Sequence, residues 1–395
     1  MFMLKPWYQR FYNYATITLG MTSFHYNATS RTYKQQLWMQ ALALVANLWT
    51  ILSLPFIFWN AMKRSSTIQW NPIMTYIDYV TNIIRSLAVL YIILERPKID
   101  RVNYDVLCKY RRLRKTYLAL LPRVAFIERH MNRLIYAKYI NMSILIVITA
   151  VIFIQGTEFE WTWSNCYFLL MVLQTTTILR LTTFNFFWFL WSICHSLKYV
   201  QWYIRHLLQE TSDSVRHCKR WRLNMLAGDV QRILEAHWQL SELAWVLMRN
   251  YRFLALAVFL DEITSLERQL YYGIIFTFDH RAELRYLVVG TTYFCALTFN
   301  IYLGFLICDL TVKTYYACIN QLGCIYAMNV QSKALEETCT DFGLNAALSR
   351  FSINIYGMFD MNHRATLTVL RNAVMHALIL IQFDHVVDPA KRHVG

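Results

Sequence analysis

The sequence predicts an all-α membrane protein with seven transmembrane helices, a cytoplasmic N-terminus, an extracellular C-terminus and long cytoplasmic helical extensions. Three observations lead there. Of 395 residues, 56% are hydrophobic and 16% charged, whereas soluble domains carry about 25% charged residues. Only 10 Gly and 6 Pro punctuate the chain, too few for a loop-rich or disordered protein. The apolar residues also gather into runs that match the roughly 20 helical residues needed to cross a bilayer.

Four runs are uncharged over such a length: between Lys34 and Lys63, between Lys138 and Glu158, from Trp161 to Leu179, and from Tyr286 to Cys308. Three more are apolar but carry charge. Pro72 to Leu94 contains Asp78 and Arg85; Phe253 to Phe278 contains Asp261, Glu262, Glu267 and Arg268; Ala365 to Phe383 contains Arg371. Charges at membrane depth are costly and rarely face lipid, so these three helices should face protein or a water-filled path. The chain thus reads as one membrane domain, 1–395, with spans near 37–60, 72–95, 139–158, 163–194, 253–278, 286–309 and 365–384.

The loops orient the bundle. With the N-terminus inside, the segments 1–36, 96–138, 196–250 and 309–350 hold 27 Lys+Arg, against 6 in 61–71, 155–164, 279–285 and 384–395. Basic residues accumulate on the cytoplasmic side, which places the N-terminus inside and the C-terminus outside. The net charge of +15 is then topological, and no nucleic-acid partner is implied. The basic cluster Lys109, Arg111, Arg112, Arg114 and Lys115 reads as facing membrane lipid headgroups. The orientation opposes that of a G-protein-coupled receptor, and neither an Asp-Arg-Tyr after the third span nor a closing NPxxY is present.

The cytoplasmic segments are patterned as helices. Leu226, Val230, Ile233, His237, Leu240, Ala244, Leu247 and Tyr251 follow at alternating steps of four and three, one stripe of a helix that packs on its neighbours. Phosphate-binding glycine loops, HExxH and GxSxG are lacking, and the 11 His and 9 Cys show no metal spacing. No enzyme, metal site or cofactor is indicated. The outside loops are short, so a ligand must enter the bundle itself.

The C-terminal segment carries the strongest local signal. Ala377 to Ile381 supply five apolar residues, followed by Gln382 and Phe383. This resembles the insect gustatory receptor family, whose last span carries Thr-Tyr, five apolar residues and Gln-Phe near the chain end. Met375 and His376 stand where Thr and Tyr are usual, while Gly357, Phe359, Asn362 and Leu367 fit the looser pattern before the span. The resemblance implies a relative of the insect olfactory receptors: a tetrameric, ligand-gated, non-selective cation channel with the last helix of each subunit lining a central pore. It implies cytoplasmic extensions that anchor subunits together, and homo- or heterotetramers with other gustatory receptors. It also implies a small-molecule tastant pocket in the outer half of each bundle, and the plasma membrane of gustatory-neuron dendrites.

The residues agree with a pore helix. Met375, Ile379 and Gln382 share one helical face, Gln382 lies near the outer end, and Ile379 or Phe383 can close a pore by dewetting. Pocket candidates are the outer-end aromatics Tyr76, Tyr79, Trp163, Tyr167, Tyr271, Phe276 and Tyr293, with interfacial belts as the alternative role for each. An aromatic lining with few polar groups suits bitter or aversive compounds better than sugars. The alternative functions are a G-protein-coupled-type chemoreceptor and a transporter, although no repeat or Gly/Pro-broken helix marks a transporter. Finally, Arg180 and Asp261 both lie about 25 Å from the outer end of their spans. They are expected to form an intramembrane ion pair, with Glu262 as the alternative partner and snorkelling of Arg180 to the headgroups as the alternative fate.

Overall fold

The computed structural model describes residues 12, 14–27, 32–67, 72–118, 124–155, 161–217, 220–278, 284–326, 351–355 and 359–387, with isolated positions between 333 and 343. Seven long helices follow one another: α1 (Leu37–Thr67), α2 (Pro72–Leu113), α3 (Ala125–Gln155), α4 (Trp163–Arg216), α5 (Arg220–Phe278), α6 (Leu284–Tyr326) and α7 (His363–Val387). Each is long and apolar enough to cross a membrane. In lipid every backbone N–H and C=O must be satisfied within the segment, which restricts single spans to helices. Several hydroxyls in the spans are satisfied in the same way, within their own helix. Thr50 donates to the Ala46 carbonyl at 2.8 Å and Thr182 to that of Ile178 at 2.8 Å.

Several helices outrun the bilayer. α4 has 54 residues and α5 has 59, so each reaches about 80 Å or more, against a hydrocarbon core of about 30 Å. With α2 and α6 they continue into a second, extramembrane bundle. There the stripe from Leu226 to Tyr251 is buried at every position. His237 stacks on Tyr315 of α6 with centroids 4.8 Å apart, and the Tyr251 hydroxyl donates to Asn103 of α2 at 3.0 Å. At the junction with the membrane half, Trp191 Nε1 donates to the Met131 carbonyl of α3 at 2.7 Å.

The described residues also include two small hairpins, and hydrophobic pattern did not foretell either. β1 (Phe24–Asn27) pairs antiparallel with β2 (Thr32–Gln35), and β3 (Asn354–Ile355) with β4 (Phe359–Asp360). Ahead of β1 the chain lies against the bundle. The Tyr12 ring is 5.1 Å from Phe184, and Ser23 N–H donates to Asp100 at 3.1 Å. Gly20 makes this approach at φ 68°, where a Cβ would stand 2.7 Å from the Ala43 carbonyl oxygen, so both the left-handed backbone and the close contact require glycine. The β3–β4 hairpin seats the start of α7: Phe351, Ile353 and Ile355 are buried, with the Phe351 ring 4.5 Å from Tyr315.

Candidate functional site

α7 has two unlike faces. Thr366, Ala373 and Ala377 are buried, and Ala373 packs with Leu145, Leu266, Tyr293, Ala296 and Leu297. Leu380 and Ile381 pack beside Ile77 and Tyr271. Small residues on this side let α7 approach α5 and α6 closely. On the opposite side, by the 3.6-residue period, Met375 is 53% exposed, Ile379 43% and Phe383 59%, with Arg371, Asn372 and Gln382 exposed beside them. Two hydrogen bonds to carboxylates fasten α7 to its neighbours: His363 Nδ1 to Asp309 of α6 and His376 Nδ1 to Glu267 of α5, each at 2.9 Å. The four residues expected to line a pore therefore lie on or beside the face that this subunit leaves uncovered.

Behind α7 a chain of buried polar groups crosses the bundle. Arg180 of α4 donates to Glu262 of α5 at 2.7 Å, and Glu262 also accepts from Asn300 of α6 at 2.5 Å. Lys138 of α3 donates to the Asn300 side-chain oxygen at 2.7 Å and to its carbonyl at 3.2 Å. One turn away, Asn141 donates to the Ala296 carbonyl at 3.0 Å. Arg85 of α2 bonds Asp261 through Nε at 3.0 Å and Ser265 through Nη2 at 3.1 Å. Lys138, Arg180, Asp261 and Glu262 are all buried. Arg268 and Asp78 form a further α5–α2 pair at 3.6 Å.

This geometry corrects the expected Arg180–Asp261 pair. Arg180 takes Glu262, the alternative partner, and Asp261 belongs to Arg85. Depth arithmetic cannot separate residues 261 and 262, which project from α5 about 100° apart. Lys138 is a second correction. As the last residue before an apolar run it counted among the loop cations, yet it is buried between α3 and α6.

The outer aromatics divide into separate environments. Tyr76 and Trp163 face outward, at 66% and 94% exposure, as interfacial aromatics do. Tyr167 is half-buried against α1: its hydroxyl lies 3.0 Å from Ser53 Oγ and its ring 5.1 Å from Phe56. Tyr79 is half-buried on α2. Tyr271 and Tyr293 are fully buried, each in a cluster that includes residues of α7. The side chain of Phe276 lies outside the described residues.

Comparison with known proteins assigns this architecture. The model of the family described as 7tm Chemosensory receptor matches residues 9–386. The chain belongs to that family. A Drosophila erecta protein provisionally named gustatory receptor 59b is 24% identical over 299 residues, which is 73% of this chain and 48% of that protein. The chain thus matches about half the length of that relative. Two structures of the olfactory receptor OR5 from Machilis hrabei share the fold, one of them in complex with eugenol. They superpose with TM-scores of 0.60 and 0.61 at 12% and 13% identity, covering 96% of this chain and 98% of each of those chains.

This 7tm chemosensory receptor is accordingly a multi-pass membrane protein of a receptor family, not an enzyme. Of its polar network, sequence reading singled out Arg180, Asp261 and Glu262 and missed the roles of Arg85, Ser265, Lys138 and Asn300. Arg85 carried a usable signal, being the only basic residue in the apolar run Pro72 to Leu94. Asn300 carried none, because an uncharged amide is invisible to a charge count.

Proposed function

We propose that the receptor is a tastant-gated ion channel subunit of gustatory neurons, permeable to cations and tuned to bitter or aversive compounds. Four subunits, identical or mixed with other gustatory receptors, surround one pore in the plasma membrane of the dendrite. The observation that carries this reading is the uncovered face of α7. A transmembrane helix that presents Arg371, Asn372 and Gln382 outside its own subunit is costly in lipid, whereas a hydrated axis between copies accommodates it. Met375, Ile379, Gln382 and Phe383 then line the pore, Ile379 and Phe383 gating by apolar constriction. Tyr271 and Tyr293 pack against α7 residues, so a small molecule seated among the outer aromatics changes the packing that holds α7. Binding that favours the displaced position opens the pore by shifting its population. The eugenol-bound state of a protein of the same fold supports a small-molecule site of this kind.

The test is whole-cell recording from a heterologous cell during a screen of bitter and sugar tastants, alone and with co-expressed family members. Tastant-evoked current reversing near that of a sodium-permeable channel is expected. Surface-expressed protein that signals only through second messengers would contradict the channel. The proposed orientation has its own check. A tag placed after Gly395 should be reached by antibody on intact cells, and a tag before Met1 should be reached only after permeabilisation. The reverse labelling would favour a G-protein-coupled-type topology.

A further inference from the structure

The bond between His376 of α7 and Glu267 of α5 ties the proposed pore helix to its own bundle. We infer that this pair is a proton-operated clasp: external acid tightens it, holds α7 in place and lowers the sensitivity of the channel to tastant. This rests on the reading of α7 as a pore helix that opens by displacement, and goes beyond it by naming the proton as an inhibitory ligand and His376 as its site.

Position is the first argument. His376 Nδ1 and a Glu267 carboxylate oxygen lie 2.9 Å apart, with the imidazole 61% exposed and the carboxylate 19%. The imidazole stands at the edge of the uncovered face, about 100° round the helix from Met375 and about 9 Å inward of Gln382, within reach of water in the proposed pore. Its neighbour Ala377 belongs to the packed face. The pair therefore bridges the seam that α7 must open to move away from α5.

The surrounding charges are the second argument. On α5, Arg268 next to Glu267 is taken by Asp78 of α2 at 3.6 Å, and Tyr271 and Tyr272 pack with Ile77 of α2. The part of α3 that packs near α7, residues 145–155, contains no titratable side chain. On α6, Tyr293 is buried and Cys295 is exposed with a free thiol. On α7 itself Arg371 is exposed but turned about 140° from His376. Glu267 is thus the carboxylate that responds to the charge on His376. Histidine changes charge between about pH 5 and 8, and a charged hydrogen bond is roughly twice as strong as a neutral one. Acid therefore stabilises α7 in its seated position, against a tastant that favours the displaced one. The second bond, His363 to Asp309, lies about 20 Å away along α7, and Asp309 already holds Lys313 at 2.7 Å, so charging His363 adds less.

The experiment records currents evoked by an active tastant without titratable groups, at external pH of about 7.5 and about 5.5, in cells matched for surface receptor. The half-activating tastant concentration should rise about fivefold or more in acid, with unitary conductance unchanged. His376→Gln and Glu267→Gln should each cut this shift to less than about twofold, while His363→Gln should retain it. A wild-type sensitivity that ignores external pH or increases in acid overturns the inference. So does an acid effect confined to unitary conductance, a full shift that survives in His376→Gln or Glu267→Gln, or a shift lost in His363→Gln. Should one Gln variant fail to reach the surface, the other and the wild-type titration still decide. Tastant-evoked current at the higher pH without an acid shift leaves the channel standing and removes the clasp. Surface-expressed receptor that passes no current at either pH removes the channel reading and the inference with it.

Discussion

Glu262→Ala is expected to remove most of the receptor from the cell surface. Its carboxylate is the shared acceptor for Arg180 and Asn300, and through Asn300 it fixes Lys138. Without it, Lys138 and Arg180 remain buried with no carboxylate of their own, because Asp261 is engaged by Arg85. Breaking one side of a buried ion pair typically costs about 3–5 kcal/mol, a large share of the roughly 5–15 kcal/mol that holds a folded protein together. Surface biotinylation and the melting temperature of detergent-solubilised protein read the loss directly. Replacing both partners with apolar residues of similar size is often nearly neutral, so Glu262→Met with Arg180→Met should recover more surface protein than either single change. Wild-type surface level and melting in Glu262→Ala would show that the network carries no structural weight.

Gln382→Ala should alter permeation without altering surface level. Its side chain is exposed on α7 and has no structural partner among the described residues, so truncation removes little folding energy. On the proposed reading of α7 as a pore helix, four copies of Gln382 form an amide ring that stands in for ion hydration. Alanine there leaves an apolar collar with Ile379 and Phe383, and dewetting of that collar should lower unitary conductance by about twofold or more. Single-channel recording at matched surface expression measures it. Unchanged conductance, permeability ratios and resting leak would take Gln382 out of the ion path.

The helices were legible because lipid makes a simple demand: a run of about 20 apolar residues has one stable conformation there. The extramembrane bundle was legible for a related reason, since the four-and-three stripe from Leu226 to Tyr251 is the buried seam itself. Depth could also be read. Arg180 does meet the Asp261–Glu262 level, because rise per residue is fixed. Azimuth could not, since it depends on how each helix is rotated in the bundle, and Arg85 rather than Arg180 faces Asp261. Lys138 was obscured by its position at the edge of a run and by partners that are an amide and a backbone carbonyl. The outer aromatics share a depth but not a face, which is why Trp163 points outward while Tyr271 and Tyr293 are enclosed. The β3–β4 hairpin escaped because its strands have two residues each, too short for a period-two signal.

The central claim is that the uncovered face of α7 lines an ion path between subunits, and a cysteine scan along that helix tests it most directly. Met375→Cys, Ile379→Cys and Gln382→Cys channels would be exposed to a charged, membrane-impermeant thiol reagent while current is recorded, with Ala373→Cys and Ala377→Cys as the packed-face comparison. Modification is expected to change the current at 375, 379 and 382, faster when the channel is open, and to leave 373 and 377 untouched. Current unaffected by modification at 375 and 382, with both sites shown to be labelled, would contradict it.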